Sequence, residues 1–343
     1  MTIVRNLAEE RVTSFARQLR IFGIVLTVAC LALGAYIVDW RETLQVIAGA
    51  SLGQIALASG CLVGTWCLFS LRWQQLIAVN RPPPIWRIFN FLMIGYLTNA
   101  LLPARPGDII RAVLLRQAFG ISISYGFAGL VLERLFDAFA ICVLGLVVSF
   151  IVTLPPLVAS GLYGLASIGL GLMIVLLGLS WRRDSIGSIT ARFPRLFNHI
   201  YARFFVEWLA RFTSALGTLY SLNRFSMSIL LTCLGWGALA LATINLIKAF
   251  NLNVPPAAAL LVLVATNLAA VVPSSPGALG VYHFMAVIAL SVWRVDTSIA
   301  VAFAIGAHAV FVGLQVILGL SCAWLEGFGM RGLTQLAQTS RQD

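Results

Sequence analysis

The order of apolar and polar positions along the chain predicts a series of membrane-spanning helices. A helix crosses the roughly 30 Å hydrocarbon core of a bilayer with about 20 apolar residues. Six uninterrupted apolar stretches approach or exceed this length, and we predict a full span for each: 21–38, 52–71, 126–152, 157–179, 225–250 and 299–325. The pattern indicates an all-α, polytopic membrane protein in which residues 1–343 form a single transmembrane domain.

Two further apolar stretches, 85–120 and 255–293, are each broken by proline and glycine. Proline removes a helical hydrogen-bond donor and disfavours helix in the residue before it, so both stretches should stop and restart. Backbone groups freed at membrane depth are tolerated only beside protein or a water-filled cavity. We predict a re-entrant helical hairpin in each stretch, with two ordinary spans joined by a surface turn as the alternative. The expected hinge or gate residues are Pro103, Pro106, Gly107, Pro273, Pro276, Gly277 and Gly280.

The two breaks share a motif that indicates an internal repeat. Pro-x-x-Pro-Gly occurs at 103–107 and again at 273–277, whereas the composition predicts only about 0.04 chance occurrences. Shifting the sequence so that position 103 falls on position 273 superposes a first set of span, broken stretch and span on a second set. We call this displacement the repeat shift. Repeat 1 covers about 52–152 and repeat 2 about 225–325. With six full spans the two copies enter the membrane from opposite sides, which is an inverted repeat with its substrate site expected near the midplane.

Composition excludes an ordinary soluble domain. The chain is 60% apolar and 10% charged, whereas a soluble domain is about 45–50% apolar and about 25% charged. A net charge of +11 suits nucleic-acid binding in a soluble protein, but in membrane proteins lysine and arginine collect in cytoplasmic loops. Here they lie mainly in 1–20, in 181–224 and in a predicted loop with Arg72, Arg81 and Arg87. We predict a multi-pass protein of the bacterial inner membrane, with both termini cytoplasmic and no nucleic-acid partner.

Residues 181–224 form an unusual connection between spans. Apolar residues recur there at helical spacing, with arginines among them. This pattern is typical of an amphipathic helix that lies in the cytoplasmic interface and attracts anionic lipid. A solvated arm between two spans is the alternative.

Three charged residues lie inside the predicted span 126–152. Glu133, Arg134 and Asp137 are three or four residues apart and therefore share one flank of a helix. Each charge near the bilayer centre costs about 2.5–3.5 kcal/mol on the insertion scale, which pairing partly offsets. The cluster is either a salt-bridged packing contact or a site for a lipid headgroup or a proton.

The first broken stretch carries the strongest phosphate signal. Arg105, Asp108 and Arg111 follow one another closely, and Arg111 can pair with Asp108 three residues before it. The planar arginine fork binds two phosphate oxygens at once, and a helix that opens at Gly107 presents N-terminal donors to an anion. Alternatively, the arginines extend to the cytoplasmic interface without binding anything.

The second broken stretch has no charge at its tip. Ser274, Ser275 and the helix donors after Gly277 are candidates for holding a polar group. His283 follows, and His308 lies in the last span. An intramembrane histidine is either a hydrogen-bonded packing residue or a proton carrier.

These motifs, taken in order, resemble the lysylphosphatidylglycerol synthase transmembrane, or flippase-like, family from about residue 20 to 328. The matching residues are Asn99, Pro103, Arg105, Gly107, Asp108, Arg111, then Glu133, Arg134, Asp137, then Pro273, Pro276, Gly277, Gly280 and Val281. The resemblance implies movement of an anionic or aminoacylated phospholipid, a polyprenyl-phosphate lipid or a hopanoid-type lipid between leaflets. Two positions depart from the family pattern: Ala278 replaces a frequent glycine, and His283 replaces a frequent acid.

We therefore expect a lipid flippase or transporter rather than an enzyme, with no catalytic residue, metal or cofactor. The expected substrate-binding residues are Asn99, Arg105, Asp108, Arg111, Glu133, Arg134, Asp137, Ser274, Ser275 and His283. Because the sequence ends at Asp343, we expect any lipid-synthesis enzyme to be a separately encoded partner. The alternatives are an intramembrane lipid-modifying enzyme and a membrane scaffold for lipid-synthesis enzymes.

Overall fold

The computed structural model of the chain describes residues 39–77, 82–102, 106–181, 222–269 and 276–327. The predicted span 21–38 and residues 182–221 of the predicted arm lie outside this part of the chain. So do several predicted site or hinge residues: Pro103, Arg105, Pro273, Ser274 and Ser275.

The described residues form α-helices and no strand. The helices are α1 (Trp40–Ala48), α2 (Leu52–Leu76), α3 (Ile85–Leu101), α4 (Gly107–Phe119), α5 (Ile123–Ser149), α6 (Pro156–Trp181), α7 (Leu222–Ala249), α8 (Pro256–Ala269), α9 (Val281–Ser291) and α10 (Thr297–Leu325). A short 3-10 turn, Pro276–Ala278, precedes α9. The all-α prediction is confirmed for this part of the chain.

Four of the described helices are long and apolar enough to cross a bilayer: α2, α6, α7 and α10. Helix α5 has 27 residues but carries Glu133, Arg134 and Asp137 near its middle. Many large apolar side chains of these helices, such as Leu146 and Ile168, are exposed on the outer surface, as expected for faces in contact with lipid tails. The chain is a multi-pass membrane protein.

Both broken stretches form two short helices, as the proline and glycine pattern predicts. Helix α3 ends at Leu101 and α4 begins at Gly107, while α8 ends at Ala269 and α9 begins at Val281. These four helices have between 11 and 17 residues, fewer than the about 20 that a full span requires.

The first break is held by a glycine in close contact with the preceding helix. The Gly107 amide donates to Asn99 Oδ1 at 2.8 Å, which satisfies one of the free donors at the start of α4. A Cβ atom on Gly107 would lie 2.0 Å from the Gly95 carbonyl oxygen, so only glycine fits there. Asn99, predicted to bind substrate, thus has a structural contact in this turn.

The second break uses left-handed backbone conformations. Gly277 and Gly280 have φ values of 66° and 82°, and Ala278 lies between them at 57°. Left-handed backbone is costly for a residue with a Cβ atom but not for glycine. Ala278 is therefore in a strained position.

The helix boundaries match under the repeat shift. Shifted α2 covers 222–246, close to α7 (Leu222–Ala249), and shifted α3 covers 255–271, close to α8 (Pro256–Ala269). Helices α9 and α10 begin four residues after the shifted starts of α4 and α5. The packing has the same correspondence: α4 on α5 matches α9 on α10, and α3 on α10 matches α8 on α5.

Helices α2 and α7 form an extensive antiparallel pair. At one end the Ser51 amide donates to the Ala249 carbonyl at 2.8 Å, and near the other Arg72 donates to Thr232 Oγ1 at 3.2 Å. Between them Thr65 Oγ1 donates to the Gly235 carbonyl at 3.4 Å across a separation of 170 residues. Positions that the repeat shift makes equivalent therefore meet at the centre of the pair.

The structure corrects the predicted position of Arg72. Helix α2 extends to Leu76, five residues beyond the predicted end, so Arg72 lies within the helix rather than in a loop. Its side chain is fully buried. The apolar residues Trp73, Leu76 and Ile77 that follow it are the signal in the sequence that the span continues.

Candidate functional site

Six charged side chains converge where α2, α4 and α5 meet, and we call them the charged network: Arg72, Asp108, Arg111, Glu133, Arg134 and Asp137. Three are arginines and three are carboxylates, so their formal charges cancel. Low dielectric makes such pairs interact strongly, but each charge must be well paired to persist there.

The buried centre of the network is the pair of Arg111 and Glu133. Two hydrogen bonds join them, Nη1 to Oε1 at 3.2 Å and Nη2 to Oε2 at 2.9 Å, and both side chains are almost completely buried. The guanidinium carbon of Arg111 also lies 4.0 Å from the centroid of the Trp73 ring. Gly95 makes room for this arginine, because a Cβ atom there would lie 2.7 Å from Arg111 Cδ.

A second pair connects the network to repeat 2. Arg72 Nη1 donates to Asp137 Oδ1 at 2.7 Å, and the indole of Trp236 on α7 donates to the same oxygen at 3.2 Å. Arg72 Nη1 also reaches Thr232 of α7. The sequence alone does not reveal Arg72, Thr232 and Trp236 as site residues, because only the folded chain brings α2 and α7 beside α5.

Arg134 lies at the accessible edge of the network. Its side chain is 49% exposed, and Nη2 lies 3.2 Å from Asp108 Oδ1. It is also 3.9 Å from Asp137 through Nη1. Asp108 and Asp137 are themselves partly exposed. The edge therefore presents one guanidinium beside two carboxylates.

The structure changes the roles that the sequence suggests for the arginines. Arg111 and Asp108 are 3.6 Å apart, in agreement with the predicted pairing. However, Arg111 is buried and held by Glu133, so it does not offer an open fork to a phosphate. Arg134 is the network's accessible arginine.

A second candidate site lies at the other break and is lined by Gly277, His283 and His308 together with apolar residues. This space, which we call the histidine cavity, has a volume of about 300 Å³. His308 Nε2 lies 2.9 Å from the Gly277 carbonyl oxygen, and the Tyr282 ring stacks on His308 with centroids 4.6 Å apart. The structure thus brings together two histidines that lie on different helices, α9 and α10.

The histidine cavity also contacts the first broken stretch. Ala100, at the C-terminal end of α3, lines the cavity together with Gly277. The cavity therefore lies where the two broken stretches meet. Within the described ranges no group of three histidine, cysteine or acidic side chains is arranged to hold a metal ion.

Comparison with known proteins identifies a family and relatives that match much of the chain. A family model described as the lysylphosphatidylglycerol synthase TM region matches residues 20–319, which confirms the resemblance seen in the motifs. The chain is 25% identical over 338 residues to a Haloferax volcanii protein named glycosyltransferase AglD, covering 87% of this chain and 53% of that protein. It therefore spans about half the length of that relative.

A second relative is a UPF0104 membrane protein of Methanocaldococcus jannaschii. The two are 25% identical over 222 residues, which cover 64% of this chain and 86% of the relative. No solved structure matches the chain.

Proposed function

Because the chain belongs to the lysylphosphatidylglycerol synthase TM-region family, we propose that it is a lipid flippase or transporter. Its substrate is an anionic or aminoacylated phospholipid, or another phosphate-bearing lipid, which it moves between the leaflets of the inner membrane. Both termini are cytoplasmic in this proposal, and any lipid-synthesis enzyme is a separate partner.

The observation that carries the proposal is the exposure of Arg134. A guanidinium that is 49% exposed near the middle of a 27-residue helix would be costly against lipid tails. Contact with water or a polar headgroup removes that cost. Its planar fork suits a phosphate, which it can bind through two parallel hydrogen bonds.

The two carboxylates beside Arg134 favour a headgroup with a positive charge as well as a phosphate. Asp108 and Asp137 lie within 4 Å of the Arg134 guanidinium. A phosphate bound to Arg134 weakens the attraction between Arg134 and these carboxylates. An ammonium group on the same headgroup can then pair with the carboxylates and balance their charge. An aminoacylated phospholipid or phosphatidylethanolamine carries both groups, so we expect it to be preferred over phosphatidylglycerol.

The antiparallel pairing of α2 with α7 supports an inverted repeat as the framework for transport. Helices that correspond in an inverted repeat run in opposite directions, and Thr65 meets its counterpart Gly235 between them. In the proposal six full spans surround two re-entrant hairpins. Pro103, Pro106, Gly107, Pro273, Pro276, Gly277 and Gly280 are their hinges. The headgroup follows the charged edge of α5 while the acyl chains stay in the bilayer.

Transport by the purified protein tests the proposal. The full chain is reconstituted in liposomes with fluorescent lysyl-phosphatidylglycerol or phosphatidylglycerol, and a membrane-impermeant quencher reports the label in the outer leaflet. We expect faster exchange than in empty liposomes, and faster exchange of the lysyl lipid. Replacing both Asp108 and Asp137 by asparagine should remove the preference for the lysyl lipid. Exchange at the rate of empty liposomes for both lipids would contradict the proposal.

An intramembrane enzyme is the alternative, and the name of the Haloferax relative gives it its support. That name describes a protein of which this chain covers 53%. Mass spectrometry of the same liposomes distinguishes the two functions. A transporter leaves the mass of every lipid unchanged, whereas a lipid-modifying enzyme produces a new lipid species from a supplied donor.

A further inference from the structure

The histidine cavity contains two imidazole rings whose hydrogen-bond partners determine their tautomers. The Gly280 amide donates to His283 Nδ1 at 3.3 Å, so Nδ1 of that ring is unprotonated and the neutral ring carries its proton on Nε2. His308 Nε2 faces the Gly277 carbonyl oxygen at 2.9 Å. A carbonyl only accepts, so Nε2 is the protonated nitrogen of His308 and Nδ1 is an acceptor.

One donor and one acceptor remain unused in this pair. Among the described residues neither His283 Nε2 nor His308 Nδ1 has a hydrogen-bond partner. The ring centroids are 4.9 Å apart and both residues line the cavity, so one small polar group in the cavity can lie beside both rings. An acyl chain in the cavity would leave the donor and the acceptor unpaired in nonpolar surroundings, which is unfavourable.

The backbone explains why a histidine serves at this position. His283 is the third residue of α9, and its ring accepts the amide of Gly280, the residue before the helix. A glutamate or glutamine side chain makes the same bond in a capping box. His283 thus makes this contact without placing a negative charge in the cavity.

The lining of the cavity argues against a charged ligand. Apart from the two neutral rings and Gly277, the described residues that line it are apolar: Ala100, Leu279, Ile305, Ala309, Val312 and Gly313. Among these described residues an anion would find no cation, and an ammonium group would find no carboxylate. The volume of about 300 Å³ is at the lower end of the range for small-molecule pockets, so it suits one headgroup-sized unit.

We propose that the histidine cavity binds an uncharged, hydroxyl-bearing lipid headgroup, with a hydroxyl oxygen accepting from His283 Nε2 and its hydrogen donated to His308 Nδ1. A hydroxyl group is both donor and acceptor and therefore satisfies both rings at once. This site is separate from the charged network and does not depend on transport.

Binding measured by native mass spectrometry tests the proposal with the full chain in detergent. The probes are monoglucosyl-diacylglycerol, the same lipid with all sugar hydroxyls acetylated, and diacylglycerol with its single free hydroxyl. We expect the glucosyl lipid or diacylglycerol to bind about ten-fold more tightly than the acetylated lipid. A ratio of dissociation constants of about ten-fold is the size expected when one hydrogen bond is lost and its partner in the protein is left unpaired. The tighter of the two identifies a sugar or a glyceride as the source of the hydroxyl.

Two substitutions of one residue provide the matched comparison. His283→Gln keeps an acceptor for the Gly280 amide and a donor for the ligand, so binding should change by no more than about two-fold. His283→Glu keeps the acceptor but loses the donor, so the glucosyl lipid or diacylglycerol should bind about ten-fold more weakly. Equal binding of the acetylated lipid, or unchanged binding in His283→Glu, would overturn the proposal.

A further binding experiment distinguishes this site from the proposed transport site at Arg134. Phosphatidylglycerol binding should be insensitive to His283→Glu, because a phosphate headgroup has its contact at Arg134. Loss of phosphatidylglycerol binding in His283→Glu at unchanged thermal stability would overturn the separation of the two sites. Hydroxyl-dependent binding of the neutral lipid in a protein that flips neither lysyl-phosphatidylglycerol nor phosphatidylglycerol would leave this site intact and contradict the proposed transport function.

Discussion

In the first half of the protein α4 packs on α5 through paired arginines and carboxylates, whereas in the second half α9 packs on α10 through two histidines and a tyrosine. The helix boundaries and the packing partners correspond under the repeat shift. The side chains do not: when the two helices are aligned at their starts, Glu133 of α5 falls on Ala307 of α10 and Arg134 falls on His308. The helical framework is therefore retained while the chemistry at the two breaks has diverged.

The difference has consequences for stability. The charged network balances its charges internally, so removing one partner leaves a buried charge unpaired. The histidine cavity holds hydrogen bonds between neutral groups, whose loss leaves only a polar atom unsatisfied. Equivalent substitutions should therefore be much more damaging in the first half than in the second.

The largest expected effect comes from Glu133→Ala. It leaves the buried Arg111 without its closest carboxylate and with only Asp108, 3.6 Å away, to balance its charge, which should cost about 3–5 kcal/mol of unfolding free energy. The matched change in the second half, His308→Ala, should cost about 1–3 kcal/mol because it frees the Gly277 carbonyl. Unfolding in detergent micelles measures both. A loss of unfolding free energy in Glu133→Ala no larger than that in His308→Ala would contradict the expected difference between the two halves.

A middle-sized effect distinguishes the glycines of the two breaks. Gly107→Ala places a methyl group 2.0 Å from a backbone oxygen, which should cost about 1–3 kcal/mol or more as the helices separate. Gly277→Ala meets nothing closer than 3.8 Å, so only its left-handed backbone opposes it, by about 1–2 kcal/mol. Gly60→Ala is the control, since nothing lies within 4 Å of its added atom. Equal losses of stability in Gly60→Ala and Gly107→Ala would show that close contact between the helices is not what requires glycine at position 107.

The smallest expected effect is a gain. Ala278 has a φ of 57°, and Ala278→Gly removes a left-handed strain of about 1–2 kcal/mol while adding about 0.4–1 kcal/mol of unfolded-chain entropy. The net stabilisation should be about 0.5 kcal/mol. The same unfolding assay detects it as a small rise in the midpoint, and a fall would show that the turn does not depend on backbone strain.

The sequence predicts the framework well because local signals determine it. Proline and glycine mark both breaks, and the repeated Pro-x-x-Pro-Gly motif gives the repeat shift that the helix boundaries follow. The pairing of Asp108 with Arg111 also follows from their three-residue spacing.

The partners in the candidate sites could not be predicted in the same way. Arg72 meets Asp137 across 65 residues, and His283 meets His308 through the packing of α9 on α10. The burial of Arg111 is likewise a result of packing, because Gly95 and Trp73 form the space that holds its side chain. Helical spacing reports neighbours on one helix but not contacts between helices.

The central claim is that the accessible edge of the charged network contacts the phosphate of a lipid during transport. Exchange of fluorescent lysyl-phosphatidylglycerol in liposomes tests it most directly when Arg134→Gln is compared with Arg116→Gln, an exposed arginine at the end of α4. We predict that Arg134→Gln slows exchange about ten- to hundred-fold, because it removes a charge-assisted hydrogen bond to the phosphate. Arg116→Gln should leave the rate nearly unchanged. Equal rates in the wild-type protein and Arg134→Gln, at equal stability, would contradict the account.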